Sequence, residues 1–194
     1  MNVLVVDMIE GFTRIGALAS PRVEALIPKQ ADFLSSLSVG SFVVFACDSH
    51  FPEDPEFKRM PVHCLVGTEE SEICPELIKA VGDREYTIVP KRTHSAFFGT
   101  NLDEIIAGRG DDWVVIGCVT DVCIIANVIE LDYRGKNVIV YRDLVDTYEI
   151  TPDQSLQMCG SMVKEHNPYE FNRLFFDRYL PGVWGVEILE WSDQ

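Results

Sequence analysis

The sequence lacks the features that several classes of protein require. It contains no run of about 18 apolar residues, so no membrane-spanning helix is expected. The first residues, MNVLVVDMIEGF, lack the basic segment of a signal peptide, and Asp7 interrupts their apolar run. Basic side chains are few, and the net charge of −15 argues against nucleic-acid or anionic-membrane partners, which bind through basic patches. We therefore expect a soluble cytoplasmic protein.

Cysteine pairs with the CxxC spacing are also absent, which disfavours thioredoxin-like and zinc-ribbon proteins. The cysteines that are present are Cys47, Cys64, Cys74, Cys118, Cys123 and Cys159. In an unsecreted chain we expect them to be reduced rather than bridged. A redox pair formed by Cys118 and Cys123 is an alternative that the same argument disfavours. One of the thiols is therefore free to serve as a nucleophile.

Short apolar runs rich in β-branched residues are prominent instead. The segments VLVVD, FVVFACD, YTIVPK and WVVIGCVTDVC alternate with helix-like stretches, which is typical of parallel strands buried on both faces. This alternation predicts one α/β domain over residues 1–194, with a doubly wound, mainly parallel β-sheet and helices on both faces. We place strands at residues 3–7, 41–46, 86–90, 112–117, 137–141 and near 185–189, and helices at about 21–37, 75–80, 101–108, 122–134, 152–165 and 169–179.

Reactive side chains end or follow these apolar runs, namely Asp7, Asp48, Lys91 and Cys123. In an open α/β sheet, ligands bind outside the carboxyl ends of the strands. Remote segments would therefore bring an acid, a metal-type cluster, a cation and a thiol to one edge of the sheet. Amide hydrolysis through a cysteine thiolate accounts for this combination.

Cys123 is the candidate nucleophile. It lies in the first turn of the predicted helix 122–134, where unpaired N–H groups and the helix dipole favour an anion. Lys91 would lower the pKa of the thiol, and Asp7 would move a proton between the thiol and a leaving amine. Each residue taken alone has a plainer interpretation: Cys123 as a small core residue, Lys91 as a solvated charge and Asp7 as a cap.

A second group of side chains resembles a metal site. Asp48 and His50 stand two positions apart, and His63 follows in the same long loop, residues 47–68. Mixed nitrogen and oxygen ligands with open positions suit a catalytic divalent transition metal. We expect one ion, with Zn²⁺ favoured over Fe²⁺ and Mn²⁺.

Four sequence blocks together resemble the nicotinamidase branch of the isochorismatase-like cysteine hydrolase superfamily. They are VLVVDMIEGF, CDSH…PEF…PVHCLVGT, VPKRTHSAFFGTNL and VIGCVTDVCIIANV, and they extend in order from residue 3 to about 145. The resemblance implies an isochorismatase-like fold, a triad of Asp7, Lys91 and Cys123, and metal ligands Asp48, His50 and His63. In some members a further carboxylate ligand occupies the position of Glu56.

The resemblance also implies how substrate is held. It implies a cis peptide between Cys118 and Val119, and an oxyanion hole formed by the backbone N–H groups of Val119 and Cys123. Phe12 matches an aromatic residue that stacks on a pyridine ring, although core packing is its plainer interpretation. Met60 stands where many relatives have tryptophan, and His94 stands where some have tyrosine. Both residues are therefore expected to reshape the pocket.

The expected activity is hydrolysis of nicotinamide to nicotinate and ammonia through a thioester, by a homo-oligomer with a small carboxamide as its partner. One alternative keeps the triad but acts on an N-carbamoyl or ureido amide. Hydrolysis of a vinyl ether, as in isochorismate, is a less expected activity, because it needs neither the thiol nor the metal. A non-catalytic binding protein of the same fold is a third possibility, and the complete triad argues against it.

Overall fold

A wholly parallel β-sheet forms the centre of the computed structural model, which describes residues 1–148, 177 and 180–191. The strands are ordered β3-β2-β1-β4-β5-β6. Their bounds are β1 Asn2–Val6, β2 Phe42–Asp48, β3 Glu85–Lys91, β4 Asp112–Cys118, β5 Asn137–Asp146 and β6 Glu187–Leu189. This order is that of a doubly wound sheet, so the predicted fold class is confirmed.

Helices cover both faces of the sheet, because its central strands are apolar on both sides. All seven residues of β2 are buried, and β1 alternates between two hydrophobic clusters. The helices are α1 Glu10–Thr13, α2 Pro21–Glu24, α3 Ile27–Ser36, α4 Pro75–Val81, α5 Leu102–Ile106, α6 Ile125–Tyr133 and α7 Leu180–Trp184. One cluster contains side chains from α3 and α4, and the other contains side chains from α5, α6 and α7. None of these described helices is long and apolar enough to cross a membrane.

Several element boundaries differ from the predicted ones. The predicted helix 21–37 is two helices, because Pro28 lacks the N–H that would continue α2 and instead lies in the first turn of α3. The helix predicted at 122–134 begins with a π-helical turn, Thr120–Ile124. α7 was not predicted: its Pro-Gly pair reads as a turn, yet Pro181 is tolerated in a first helical turn. The helices predicted at 152–165 and 169–179 lie outside the described residues, apart from position 177.

The strand order changes direction between β1 and β4, and the carboxyl ends of these two strands lie close together there. Gly117 has φ +125°, and a Cβ there would lie 2.0 Å from the carbonyl oxygen of Val6. Only glycine therefore permits this approach. The register of β4 against β5 shifts at the same place, between Val115 and Gly117. The segments that follow β1 and β4, which carry Asp7 and Cys123, consequently meet at the switch point where such sheets bind ligands.

Candidate active site

Lys91 lies at the centre of the site and brings the predicted triad together. Its Nζ atom is 2.8 Å from Asp7 Oδ2, 3.7 Å from Cys123 Sγ and 2.5 Å from Asp48 Oδ1. All of these side chains are buried, and Lys91 is fully so. Because a buried ammonium requires anionic partners, the lysine holds the acid, the thiol and a predicted metal ligand in one network.

Asp7 is fixed by its backbone as well as by its carboxylate. The residue has φ 54°, a left-handed conformation in which aspartate is found more often than most residues. Its N–H donates to the carbonyl of Ala46 at 2.8 Å, and its Oδ1 accepts from the N–H of Asp48 at 2.9 Å. Its carbonyl accepts from the thiol of Cys118 at 3.2 Å. The other carboxylate oxygen, Oδ2, is thereby directed toward Lys91.

Burial controls the proton affinities of the triad. Burial, assisted by the charge of Asp48, raises the pKa of Asp7 to about 7, and Lys91 only partly offsets this. Burial also raises the pKa of the Cys123 thiol well above its ordinary value, although Lys91 acts in the opposite direction. Lys91 lowers the pKa of the thiol, as expected from the sequence. The larger, opposite effect of burial nevertheless leaves this pKa above its ordinary value. The thiol is protonated at rest, beside a carboxyl group that titrates near neutrality.

The turn that carries Cys123 is held by hydrogen bonds within its own backbone and, through Asn127, by hydrogen bonds to the segment that follows Lys91. The Cys118–Val119 peptide bond is cis, as the resemblance implied. The carbonyl of Val119 accepts from the N–H groups of Val122 and Ile124 at 3.2 and 3.1 Å. The oxyanion-hole role of the Val119 and Cys123 N–H groups stays a prediction.

Asn127 connects this turn to the segment after Lys91, and sequence reasoning missed it. Its Nδ2 donates to the carbonyl of Cys123 at 2.8 Å and to that of His94 at 3.1 Å. Its Oδ1 accepts from the N–H of Ala96 at 2.8 Å. The sequence signal for this role was an amide residue within the apolar run CIIANVI, four positions after Cys123. The structure shows that the Asn127 side chain is buried.

The three predicted metal ligands also come together. Their donor atoms, from Asp48, His50 and His63, all lie within 4.8 Å of one another, and all three residues are buried. The Nε2 atoms of His50 and His63 lie 3.6 and 3.8 Å from Asp48 Oδ2. A backbone bridge between His50 and Leu65 brings the two ends of the loop into register.

Hydrogen bonds on the far side of each imidazole orient these rings. His50 Nδ1 lies 2.9 Å from Asp54 Oδ2, and His63 Nδ1 lies 2.8 Å from the carbonyl of Pro61. Metal-bound histidines commonly use the second nitrogen in this way, which leaves Nε2 as a lone-pair donor. His50 Nε2 is buried and makes no hydrogen bond to any residue that the structure describes. The residues present therefore fit a metal ion.

Asp54 is a further residue that sequence reasoning missed. Arg92 donates to its carboxylate, with Nε 3.0 Å from Oδ1, and the guanidinium holds the pKa of Asp54 well below its usual range. An ionised Asp54 is thus available to His50 at all ordinary pH values. A loop carboxylate four positions after a histidine is a weak signal in sequence, and only the fold shows which imidazole nitrogen it contacts.

The remaining predicted site residues surround the thiol and the metal cluster. Glu56 Oε1 lies 3.9 Å from His63 Nε2 and 3.9 Å from His94 Nδ1. His94 Nδ1 is also 3.9 Å from Cys123 Sγ, and its side chain is 44% exposed. Phe12 is buried with its ring 5.7 Å from that of His63. Met60 is half-buried against the same hydrophobic cluster. The substrate-binding roles of Phe12, Met60 and His94 stay predictions.

A buried thiol, an ammonium group and a carboxyl group at the carboxyl edge of a parallel sheet define a cysteine hydrolase of the α/β class. Comparison with known proteins identifies the family within this class. The model of the Isochorismatase domain matches residues 2–183, and the chain belongs to this family.

Individual relatives are distant amidohydrolases. The chain is 25% identical to Nicotinamidase 1 of Arabidopsis thaliana over 174 residues, which cover 77% of this chain and 70% of that protein. It is 28% identical to Maleamate amidohydrolase of Pseudomonas putida over 164 residues, 78% of this chain and 75% of that protein. The crystal structure of N-carbamoylsarcosine amidase from Thermoplasma acidophilum superposes with a TM-score of 0.75 at 26% identity, covering 100% of this chain and 96% of that chain.

Proposed function

We propose that this protein is a metal-containing amidohydrolase that converts nicotinamide to nicotinate and ammonia through a thioester on Cys123. The observation that carries the proposal is the cluster of Asp48, His50 and His63, which Lys91 joins to the thiol through Asp48. A metal site next to the nucleophile suits a substrate with a coordinating atom beside its carboxamide, as in a pyridine ring. The likeness to a nicotinamidase over 77% of the chain supports the same assignment.

The chain's own residues account for the proton transfers. Asp7, with a pKa of about 7, takes the proton of the Cys123 thiol as the sulfur attacks the carboxamide carbon. Lys91 stabilises the carboxylate and the developing thiolate at the same time. The N–H groups of Val119 and Cys123 hold the oxyanion. Asp7 returns the proton to the departing ammonia, and water then hydrolyses the thioester.

Asp48, His50 and His63 would hold one divalent transition metal, for which Zn²⁺ is our expectation and Fe²⁺ and Mn²⁺ are alternatives. When bound, the ion would supply a Lewis-acid position for the pyridine nitrogen, directly or through water. Glu56, whose Oε1 lies 3.9 Å from His63 Nε2, would be a further carboxylate ligand. Phe12, whose ring lies 5.7 Å from that of His63, would pack against the ring of the substrate.

A second candidate is an open-chain amide, such as an N-carbamoyl or ureido compound. It is favoured by the full-length superposition on N-carbamoylsarcosine amidase and by the likeness to Maleamate amidohydrolase. Ammonia release from nicotinamide, from N-carbamoylsarcosine and from maleamate by the purified protein tests the two candidates together. The proposal expects nicotinamide to be the best substrate. Release from only the open-chain compounds would replace it with the second candidate.

A further inference from the structure

Tyr148 places a buried hydroxyl group near the active site without a hydrogen-bond partner. The residue is 8% exposed, and its OH makes no hydrogen bond to any part of the chain that the structure describes. Burying a hydroxyl without a partner is unfavourable, so such groups usually have a hydrogen-bond partner or are reserved for a ligand.

The backbone before Tyr148 is tied to the turn that precedes Cys123. β5 pairs with β4 so that Asp146 lies opposite Cys118. The next residue, Thr147, donates its hydroxyl to Asp121 Oδ1 at 2.5 Å, and its carbonyl accepts from Arg22 Nε at 3.0 Å. Tyr148 is therefore held at the carboxyl edge of the sheet, beside the strand end from which the nucleophile turn begins.

The ring of Tyr148 belongs to the hydrophobic cluster that also contains Phe12, Cys118 and Val119, the last of which carries a predicted oxyanion-hole N–H. Burial raises the pKa of Tyr148 well above its ordinary value, and Asp7 acts in the same direction. The phenol is therefore neutral, and its oxygen can accept a hydrogen bond while its proton remains in place.

We propose that the Tyr148 hydroxyl accepts a hydrogen bond from the N–H of the scissile carboxamide and holds its nitrogen beside Asp7. This inference deepens the proposed function and rests on it. The hydrogen bond to Tyr148 makes the enzyme selective for amides over the corresponding esters. An ester has no N–H to donate, so it leaves the hydroxyl unpaired as in the substrate-free protein.

The test compares the Tyr148→Phe variant with the wild type on nicotinamide and on methyl nicotinate. Phenylalanine keeps the ring and removes only the oxygen. One hydrogen bond between neutral groups corresponds to about a five- to tenfold change. The expected result is that kcat/KM falls by about this factor for the amide, mainly through KM, and changes less than about twofold for the ester. Equal losses for the two substrates would overturn the proposal.

Thermal melting gives a readout that does not depend on the substrate. Removing an unpaired buried hydroxyl should leave the melting temperature of Tyr148→Phe unchanged or raise it. A lower melting temperature than in the matched variant Tyr141→Phe, which changes a buried core tyrosine of β5, the strand that precedes Tyr148, would show that the hydroxyl has a structural partner.

The design also separates failure of this inference from failure of the proposed function. If the wild type hydrolyses maleamate and not nicotinamide, the proposed function is wrong. The same comparison is then made with maleamate and monomethyl maleate, in which a methyl ester replaces the carboxamide. An amide-selective loss in Tyr148→Phe would uphold the role of the hydroxyl with the new substrate, and an equal loss would refute it there.

Discussion

Lys91 and Asp48 form a fully buried ion pair, with Nζ 2.5 Å from Oδ1. The lysine that was predicted to serve the thiol is thus bound directly to a predicted metal ligand. The pair also holds the pKa of Asp48 well below its usual value, against the opposing effect of burial, because Lys91 and the two histidines stabilise the anion. The proposed nucleophile and the proposed metal ligands are therefore coupled electrostatically, so changes in either are expected to affect the other.

Replacing Cys123 by alanine should abolish amide hydrolysis, because no other group in the site can form the thioester. We expect kcat/KM to fall by at least about three orders of magnitude. Ammonia release measures this, and thermal melting checks the fold. Cys74→Ala is the matched control, since that thiol is buried in the same protein but contacts Thr13 rather than Lys91. Activity of Cys123→Ala near that of Cys74→Ala would remove Cys123 from the mechanism.

Replacing Lys91 by alanine should move the alkylation of Cys123 to higher pH. The ammonium is the group that lowers the thiol pKa against burial, so its loss leaves two carboxylates beside the sulfur. The rate of reaction with iodoacetamide as a function of pH, read at Cys123 by mass spectrometry, tests this. Lys136→Ala removes an ammonium that pairs with Asp111 rather than with the thiol, and it should leave the profile unchanged. An unchanged profile in Lys91→Ala as well would show that the lysine does not act on the thiol.

The raised pKa of Asp7 predicts a sign for the pH dependence of stability. Its value rises from 3.8 to about 7 on folding, so the folded protein binds the proton more tightly and Asp7 favours folding most at low pH. This contribution is lost as the pH rises from about 4 to 7. Asp7→Asn cannot titrate, so its melting temperature minus that of the wild type should become more positive across this range, with chelator present in both samples. A constant or falling difference contradicts the assignment.

Much of this arrangement was predictable because a buried parallel strand is a simple pattern. The apolar runs before Asp7, Lys91 and Cys123 predicted where each strand ends, and the fold then required the three ends to lie at one edge. The contacts of Asp54 and Asn127, and the hydrogen bond that anchors Thr147 just before Tyr148, were not predictable in the same way. Each includes a hydrogen bond between residues 26 to 38 positions apart, and no local periodicity specifies such a pairing.

Removing the metal should affect activity more than stability, because a site with only three protein ligands is held mainly by the fold. We expect about one transition metal per chain by elemental analysis, and loss of activity on chelation with only a small change in melting temperature. Full activity in metal-free protein would contradict the metal assignment and favour the open-chain amide.

Asp54 offers a finer test of the same site. Asp54→Asn weakens the acceptor that orients His50, so metal affinity should fall by about 10- to 100-fold. Competition with a chromophoric chelator measures this affinity. The adjacent, exposed Glu53→Gln is the control and should bind metal as the wild type does. Equal affinities in the two variants would mean that Asp54 has no part in orienting the ligand.

Substrate choice provides the sharpest test of the metal's role. If the ion binds a ring nitrogen while Phe12 packs on the ring, nicotinamide and pyrazinamide should both be hydrolysed. Benzamide has the same shape but lacks that nitrogen, and sites built for a polar atom strongly reject analogues without it. Its kcat/KM should be lower by at least about two orders of magnitude, which corresponds to roughly 2.7 kcal/mol.

Met60 and His94 make this comparison informative, because the family resemblance predicts aromatic residues around the substrate ring at these positions. Without those aromatics, discrimination depends more heavily on the metal, and chelation should lower the rate with nicotinamide to that with benzamide. Methionine-to-tryptophan replacement at position 60 should then improve both substrates alike and leave their ratio unchanged. Comparable rates for benzamide and nicotinamide in the metal-loaded protein would show that the ion does not read the ring nitrogen.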